Sequence, residues 1–283
     1  MPIRLNLPEP FKNATAQRPQ VGVWVCSGSA LNAEICAGSG IDWIMVDGEH
    51  SPNTLSTLLA QLQAIAAYPV HAIVRPPIGD TVLLKQYLDL GIQNFIVPMV
   101  DTAEDAERIV KAVHYPPRGV RGVGSALGRS ARWNRVENYL QNASDTLTLF
   151  VQIESATAVE NVEEILAVDG VDGIFCGPSD LSASMGLIGQ QGHPDVVAAL
   201  KKCFAAAKNA GKFVGINAFD PFEAKGYLED GADFILVGAD VAILARGSEK
   251  LADEFIPAEV IAARSGVLNE SDAGTETGPR ASY

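Results

Sequence analysis

The stretch Ile44-Met45-Val46-Asp47-Gly48-Glu49-His50-Ser51-Pro52 turns abruptly from apolar residues to two carboxylates and an imidazole. An imidazole three residues after a carboxylate, on a turn permitted by Gly48, can donate a hydrogen bond to it. That bond fixes the ring's tautomer and leaves the second nitrogen for proton transfer. On this reading His50 and Asp47 form an acid–base pair; the plainer alternative is a histidine that caps or packs. Other polar residues also follow apolar runs directly: Arg75, Gln152, Glu154 and the segment Gly177-Pro178-Ser179-Asp180. Buried without partners they would be costly, so they should meet a ligand or an ion. Glu154 and Asp180 are hard oxygen donors, the composition expected for Mg²⁺ or Mn²⁺ with coordination places left to water and substrate. Each could instead cap the helix expected after it. The planar fork of Arg75 suits a carboxylate or a developing enolate oxygen, against the alternative of an internal salt bridge with Glu49 or Asp47. Gly177, Ser179 and Asp180 can present backbone N–H groups at a helix start, which favours an anion. Gln152 shares a strand face with Glu154, so its amide either orients a water or ligand oxygen or is a satisfied interior amide.

Positioning such residues together requires strands whose carboxyl ends converge. Short β-rich runs occur at 21–25, 41–46, 70–75, 92–97, 147–153, 171–176, 212–216 and 234–237, and the segments between them have helical spacing, as in 54–67 and 102–113. Asp101 or Thr102 is a suitable N-cap for the latter. Strands alternating with helices in this way over about 230 residues predict a (β/α)₈ TIM barrel, with an open doubly wound sheet as the alternative. Gly-Ile-Asp-Trp-Ile, Gly-Ile-Gln-Asn-Phe-Ile, Gly-Val-Asp-Gly-Ile-Phe and Gly-Ala-Asp-Phe-Ile-Leu recur at the starts of alternate strands. Each pairs a glycine able to end a helix with a polar residue before an apolar run. The connection 115–144 is long and glycine-rich, a feature usually tied to function. Residues 1–19, with Pro2, Pro8, Pro10 and Pro19, read as an extended arm without helix, 20–255 as the barrel, and 256–283 as a tail that is mobile or packed on a neighbouring subunit.

The composition narrows the classes. With 21 basic against 34 acidic residues the formal charge is −13, which argues against a nucleic-acid or anionic-membrane surface. No apolar run is long enough to span a membrane and no signal-peptide pattern opens the chain, so a cytoplasmic protein is expected. Cys26, Cys36, Cys176 and Cys203 form no C-x-x-C pair and read as reduced packing residues.

Taken together, Trp24, Ala33-Glu34-Ile35, Asp42-Trp43, the 47–52 stretch, Val74-Arg75, Val97-Pro98-Met99-Val100, Tyr115-Pro116-Pro117-Arg118-Gly119-Val120-Arg121-Gly122, Gln152-Ile153-Glu154 and Gly177-Pro178-Ser179-Asp180-Leu181-Ser182 carry a resemblance. Over 21–251 the chain resembles the metal-dependent 4-hydroxy-2-oxoheptane-1,7-dioate aldolase family of the phosphoenolpyruvate/pyruvate barrel superfamily. The resemblance implies Glu154 and Asp180 as ligands of Mg²⁺, Mn²⁺ or Co²⁺, and His50 with Asp47 as the acid–base pair. It implies Arg75 as the residue gripping the 2-oxo acid, and Trp24, Gln152, Gly177, Pro178 and Ser179 as substrate contacts. It further implies a homohexamer whose last helix, around 241–255, is exchanged between subunits. The expected reaction is reversible cleavage of a 4-hydroxy-2-oxo acid to pyruvate, or a related 2-oxo acid such as hydroxypyruvate, plus an aldehyde, through a metal-stabilised enolate. No lysine stands at the strand ends, so a Schiff-base route is not expected. The alternatives are a thioester lyase of the malyl or citryl type, which would need a basic nucleotide-binding cluster, and a barrel that binds a 2-oxo acid without turning it over. The chain departs from the commoner family pattern at Ser179, at Cys26-Ser27-Gly28-Ser29 and at Gly215-Ile216-Asn217-Ala218-Phe219, a polar exit from the seventh strand. These departures touch the substrate pocket.

Overall fold

The computed structural model describes residues 3–265. Strands β1 (Gln20–Val25), β2 (Trp43–Asp47), β3 (His71–Arg75), β4 (Asn94–Val97), β5 (Thr148–Ile153), β6 (Gly173–Cys176), β7 (Phe213–Asn217) and β8 (Phe234–Ala239) pair in parallel in sequence order. β8 returns to β1, which closes the barrel. Each expected run overlaps one of these strands. Side chains alternate along every strand, so Val23, Val25, Ile44, Val46 and Val74 face the helices. Trp24, Trp43, Met45, Ile73, Ile96, Phe150, Phe175, Phe234 and Leu236 fill the barrel interior.

The recurring glycine-polar motif sets the register. Gly40, Gly91, Gly170 and Gly231 have φ of 90°, 87°, 99° and 101°, a region that favours glycine as the chain leaves a helix. In three of the repeats the following aspartate turns back to the preceding strand. Asp42 accepts the N–H of Val21 (2.9 Å), Asp172 that of Leu149 (2.8 Å) and Asp233 that of Val214 (2.8 Å). Each carboxylate pins an even strand to its odd neighbour at the barrel's amino-terminal end. The helix Ala103–Val113 begins on a side-chain cap, where Thr102 and Asp105 form a capping box, so Thr102 is the N-cap there. The long connection after that helix is held down by Arg121, which is buried, stacks on Tyr115 (4.3 Å) and donates to the Tyr139 hydroxyl (3.3 Å). Among the described residues no helix is long and apolar enough to cross a membrane.

The expectation for the start of the chain needs correction. The arm is not wholly extended, because Phe11–Thr15 is a helix. Pro10 starts it rather than preventing it: its φ of −65° supplies the extended N-cap, and no proline follows until Pro19. Phe11 is fully buried and plugs the barrel, its ring 5.4 Å from Trp43, 5.8 Å from Phe234 and 6.2 Å from Phe150. The segment is tied down by N–H groups of Phe11 and Lys12, which donate to Asn94 Oδ1 (2.9 Å) and Thr148 Oγ1 (3.1 Å). The tail, expected from 256 onward, opens with a helix, Ala258–Ser265, as its alanines favour. Residues 266–283 of that tail lie outside the described residues.

Candidate active site

The inward positions that carry aromatic rings low in the barrel carry polar groups at its carboxyl-terminal rim. Asp47 ends β2 and Arg75 ends β3, directly opposite each other in the register. The Asp47 carboxylate is buried and accepts three bonds: from Arg75 Nε (2.9 Å) and the Glu49 N–H (3.0 Å) at Oδ1, and from the His50 N–H (3.1 Å) at Oδ2. Arg75 Nη1 lies 2.9 Å from Glu49 Oε2, yet that oxygen has no aligned hydrogen bond, so the contact is an ion pair. The guanidinium also sits over the Trp24 ring at 4.3 Å. Burial works against the Arg75 charge, but Asp47, Glu49 and Glu154 more than offset it and raise its pKa. Burial pushes the Glu49 carboxyl up to about 6, with Arg75 opposing. The salt bridge weighed for Arg75 is therefore present with both acids, and it fixes the fork at the barrel mouth.

Glu154 lies just beyond β5. Its Oε1 accepts the Met99 N–H at 2.6 Å and its Oε2 accepts from Gln152 Nε2. Met99 adopts φ of 56°, a strained conformation for a side-chain-bearing residue, and in doing so aims that N–H at the carboxylate. Burial raises the Glu154 pKa; Gln152 and Met99 oppose the shift and the Asp180 charge adds to it. Helix capping does not account for either acid. Ser155 caps the helix after β5, and Asp180 sits exposed in the first turn of Pro178–Ser184, where Gly177 is the N-cap. Ser179 accepts from Gln191 Nε2 (3.2 Å) through its hydroxyl. A side chain at Gly177 would press on Glu154, 3.2 Å from its Cβ, so glycine keeps that corner open.

The expected pairing of His50 with Asp47 takes a different form. Asp47 binds the His50 backbone, whereas the imidazole is 68% exposed and its Nε2 lies nearest Glu49 Oε2, at 3.9 Å. Register explains the change, since Asp47 faces Arg75 across the strand pair and spends its carboxylate there. The Gln152 amide is likewise engaged by Glu154, and its Oε1 is buried without a partner. Asn217, marked in the sequence as part of a polar strand exit, accepts from Trp24 Nε1 (2.7 Å). One participant escaped the sequence reading: Asp240, buried just after β8, accepts from the N–H groups of Cys26 (2.8 Å) and Ser27 (3.3 Å). The pattern that marked Asp47, a carboxylate directly after an apolar strand, would have found Asp240.

These residues fit a hard divalent cation. Among the described residues no group of three or more His, Cys, Asp or Glu is placed to hold a metal. Glu154 and Asp180, whose charges act on each other, would supply two oxygen donors to such a cation and leave places for water and ligand. The strain of their like charges, with burial on Glu154, is what a cation relieves.

The chain matches the family described as HpcH/HpaI aldolase/citrate lyase over residues 20–246. It is 53% identical over 256 residues to a hydroxypyruvate/pyruvate aldolase of Deinococcus radiodurans, covering 90% of this chain and 92% of that one. It is 50% identical over 258 residues to a 4-hydroxy-2-oxo-heptane-1,7-dioate aldolase of Shigella sonnei, covering 91% and 98%. The crystal structure of an HpcH/HpaI aldolase/citrate lyase family protein from Burkholderia cenocepacia superposes with a TM-score of 0.83 at 39% identity, covering 86% of this chain and 98% of the other. Sequence, barrel and relatives agree: the chain belongs to the HpcH/HpaI aldolase/citrate lyase family and is an enzyme of the lyase class.

Proposed function

We propose that the barrel reversibly cleaves 4-hydroxy-2-oxo acids to pyruvate or a related 2-oxo acid, such as hydroxypyruvate, and an aldehyde, with a divalent cation held by Glu154 and Asp180. The observation that carries this reading is the Arg75 guanidinium, clamped by Asp47, Glu49 and Trp24, with the half-buried Glu154 carboxylate close enough to act on its charge. The activities named for the relatives support it. Mg²⁺, Mn²⁺ or Co²⁺ in that place would supply Lewis acidity to the 2-oxo group.

The chain's own groups account for the remainder. Arg75 Nη2, which makes no hydrogen bond among the described residues, donates to the oxygen that becomes the enolate oxygen when the C3–C4 bond breaks. Gln152 and Met99 hold Glu154 from the other side. Gly177, Pro178 and Ser179 border the 2-oxo-acid carboxylate. His50 takes the C4 hydroxyl proton as the C4 carbonyl forms, and Glu49 stabilises the resulting imidazolium from 3.9 Å. The bonding pair moves to C3, which takes a proton from water to give the 2-oxo acid, and His50 returns its proton to solvent. Asp47 serves the histidine through the backbone, by holding the turn.

Assembly follows from one surface. The helix Asp240–Phe255 exposes Val241, Ile243, Leu244, Leu251 and Phe255, which supports its packing on a second copy in a homohexamer, checked by native mass spectrometry. Four free cysteines suit the reducing cytoplasm. Pyruvate release from a panel of 4-hydroxy-2-oxo acids, with and without chelator, tests the chemistry. No release from any of them sinks the aldol reading, and full activity after metal stripping in excess chelator sinks the cation.

A further inference from the structure

The polar exit of β7 is a rim feature that the aldol chemistry leaves unused. Along this strand Phe213 packs with the interior aromatic cluster, and a Cβ at Gly215 would strike the Phe234 ring. The two-residue period therefore turns Asn217 into the barrel mouth. In the register Ile153 faces Cys176 and Cys176 faces Ile216, so Glu154, Gly177 and Asn217, each one residue further on, stand at one level. On the β6 flank of Asn217 stands Gly177, without a side chain; on the β8 flank Leu236 is opposite it in the register, and two residues further on a Cβ at Gly238 would meet nothing nearer than Ile243 Cδ1 at 4.0 Å.

The orientation of the Asn217 amide is determined by chemistry. An indole N–H only donates, so the atom 2.7 Å from Trp24 Nε1 is Oδ1. Nδ2 is turned away from the indole and makes no hydrogen bond among the described residues. The same indole carries Arg75 on its face at 4.3 Å. Trp24 thus holds a two-proton donor in fixed relation to the guanidinium that grips the 2-oxo acid. His50, which handles the aldehyde oxygen, lies beyond β2, with β8 and β1 between it and Asn217.

We propose that Asn217 determines specificity for the 2-oxo-acid half of the substrate: its Nδ2 donates to a hydroxyl on C3 and so favours 3-hydroxylated 2-oxo acids over those with an alkyl group there. The assignment rests on the aldol reading and narrows it. A polar site oriented for a hydroxyl disfavours an apolar group of the same size, because the donor is then left unpaired. Hydroxypyruvate and 2-oxobutyrate differ in that respect and hardly in size, and Asn217→Leu keeps the branching of the side chain while removing the amide.

The experiment measures kcat/KM for aldol addition of each 2-oxo acid to one acceptor aldehyde with Mg²⁺, in the unaltered protein, in Asn217→Leu and in Trp24→Phe. The preference for hydroxypyruvate over 2-oxobutyrate should fall about tenfold or more in Asn217→Leu. It should fall by less in Trp24→Phe, where the amide is kept and its orienting indole N–H is lost. A preference within threefold of the unaltered protein in Asn217→Leu, including the case where both rates drop together, overturns the proposal and leaves Asn217 as a support for Trp24. Calorimetric binding of the two acids to the Mg²⁺-loaded proteins reads the same ratio without turnover. A protein that binds both acids and joins neither to an aldehyde would therefore sink the aldol reading while this test still returned its answer.

Discussion

At the amino-terminal mouth the inward residues of β2, β5 and β8 are rings: Trp43, Phe150 and Phe234, the last two stacked at 4.4 Å, with Phe11 driven between them. Four residues further along β2 and β5 the same face carries Asp47 and Glu154. Rings need only contact to be fixed, whereas the two rim carboxylates are held by named partners, Asp47 by three donors and Glu154 by two. One barrel therefore holds two kinds of precision, and substitutions at the two mouths should fail in different measurements.

The largest effect belongs to the rim. Glu154→Ala or Asp180→Ala should lower kcat/KM a thousandfold or more, about 4 kcal/mol, while the thermal melt stays close to that of the unaltered protein. A variant that melts early with activity intact would erase the contrast. At the opposite mouth Phe11→Ala should cost about 3–5 kcal/mol in a urea titration and change kcat by no more than about threefold. His50→Ala comes next, with turnover reduced about a hundredfold and stability unchanged, because the ring stands in solvent. Asp47→Asn separates the two roles of that turn. Since Asp47 bonds Arg75 rather than the imidazole, it should raise KM for the 2-oxo acid, and a pH profile altered as in His50→Ala would show instead that it acts on the histidine.

The smallest effect lies outside both mouths. Burial lowers the His114 pKa to about 4, helped by nearby Arg118 and Lys12, and its Nδ1 sits 2.9 Å from Ser144 Oγ. The unfolded chain takes up this proton below about 6.5 and the folded one does not. The stability from a neutral His114 is thus present above that value and is lost as the pH falls toward 4. His114→Asn, which can keep a bond to Ser144, should flatten the decline in melting temperature between pH 6.5 and 4. Equal slopes would remove His114 from the acid response.

Local features were legible in the sequence and distant partners were not. Strand runs, the capping Thr102 and the polar residues at strand ends all follow from neighbours within a few positions. Asp47 could be found and Arg75 weighed as its partner, but the pairing could not be chosen, because the two are 28 residues apart and are brought opposite by register. The same holds for Asn217, visible as a polar exit although its bond to Trp24 spans 193 residues. Phe11 was hidden altogether, since an apolar residue in a proline-rich arm gives no period, and its seat is built from residues of β2, β5 and β8.

That seat also sets an order of events. Phe11 precedes every strand, yet its N–H needs Asn94, the next residue's needs Thr148, and its ring needs Phe234. The last of these is in place only when the chain has been made into its final strand, and such contacts form late because long loops must close first. The first turn of helix in the sequence therefore becomes the last piece to lock, a bolt drawn across a door already shut.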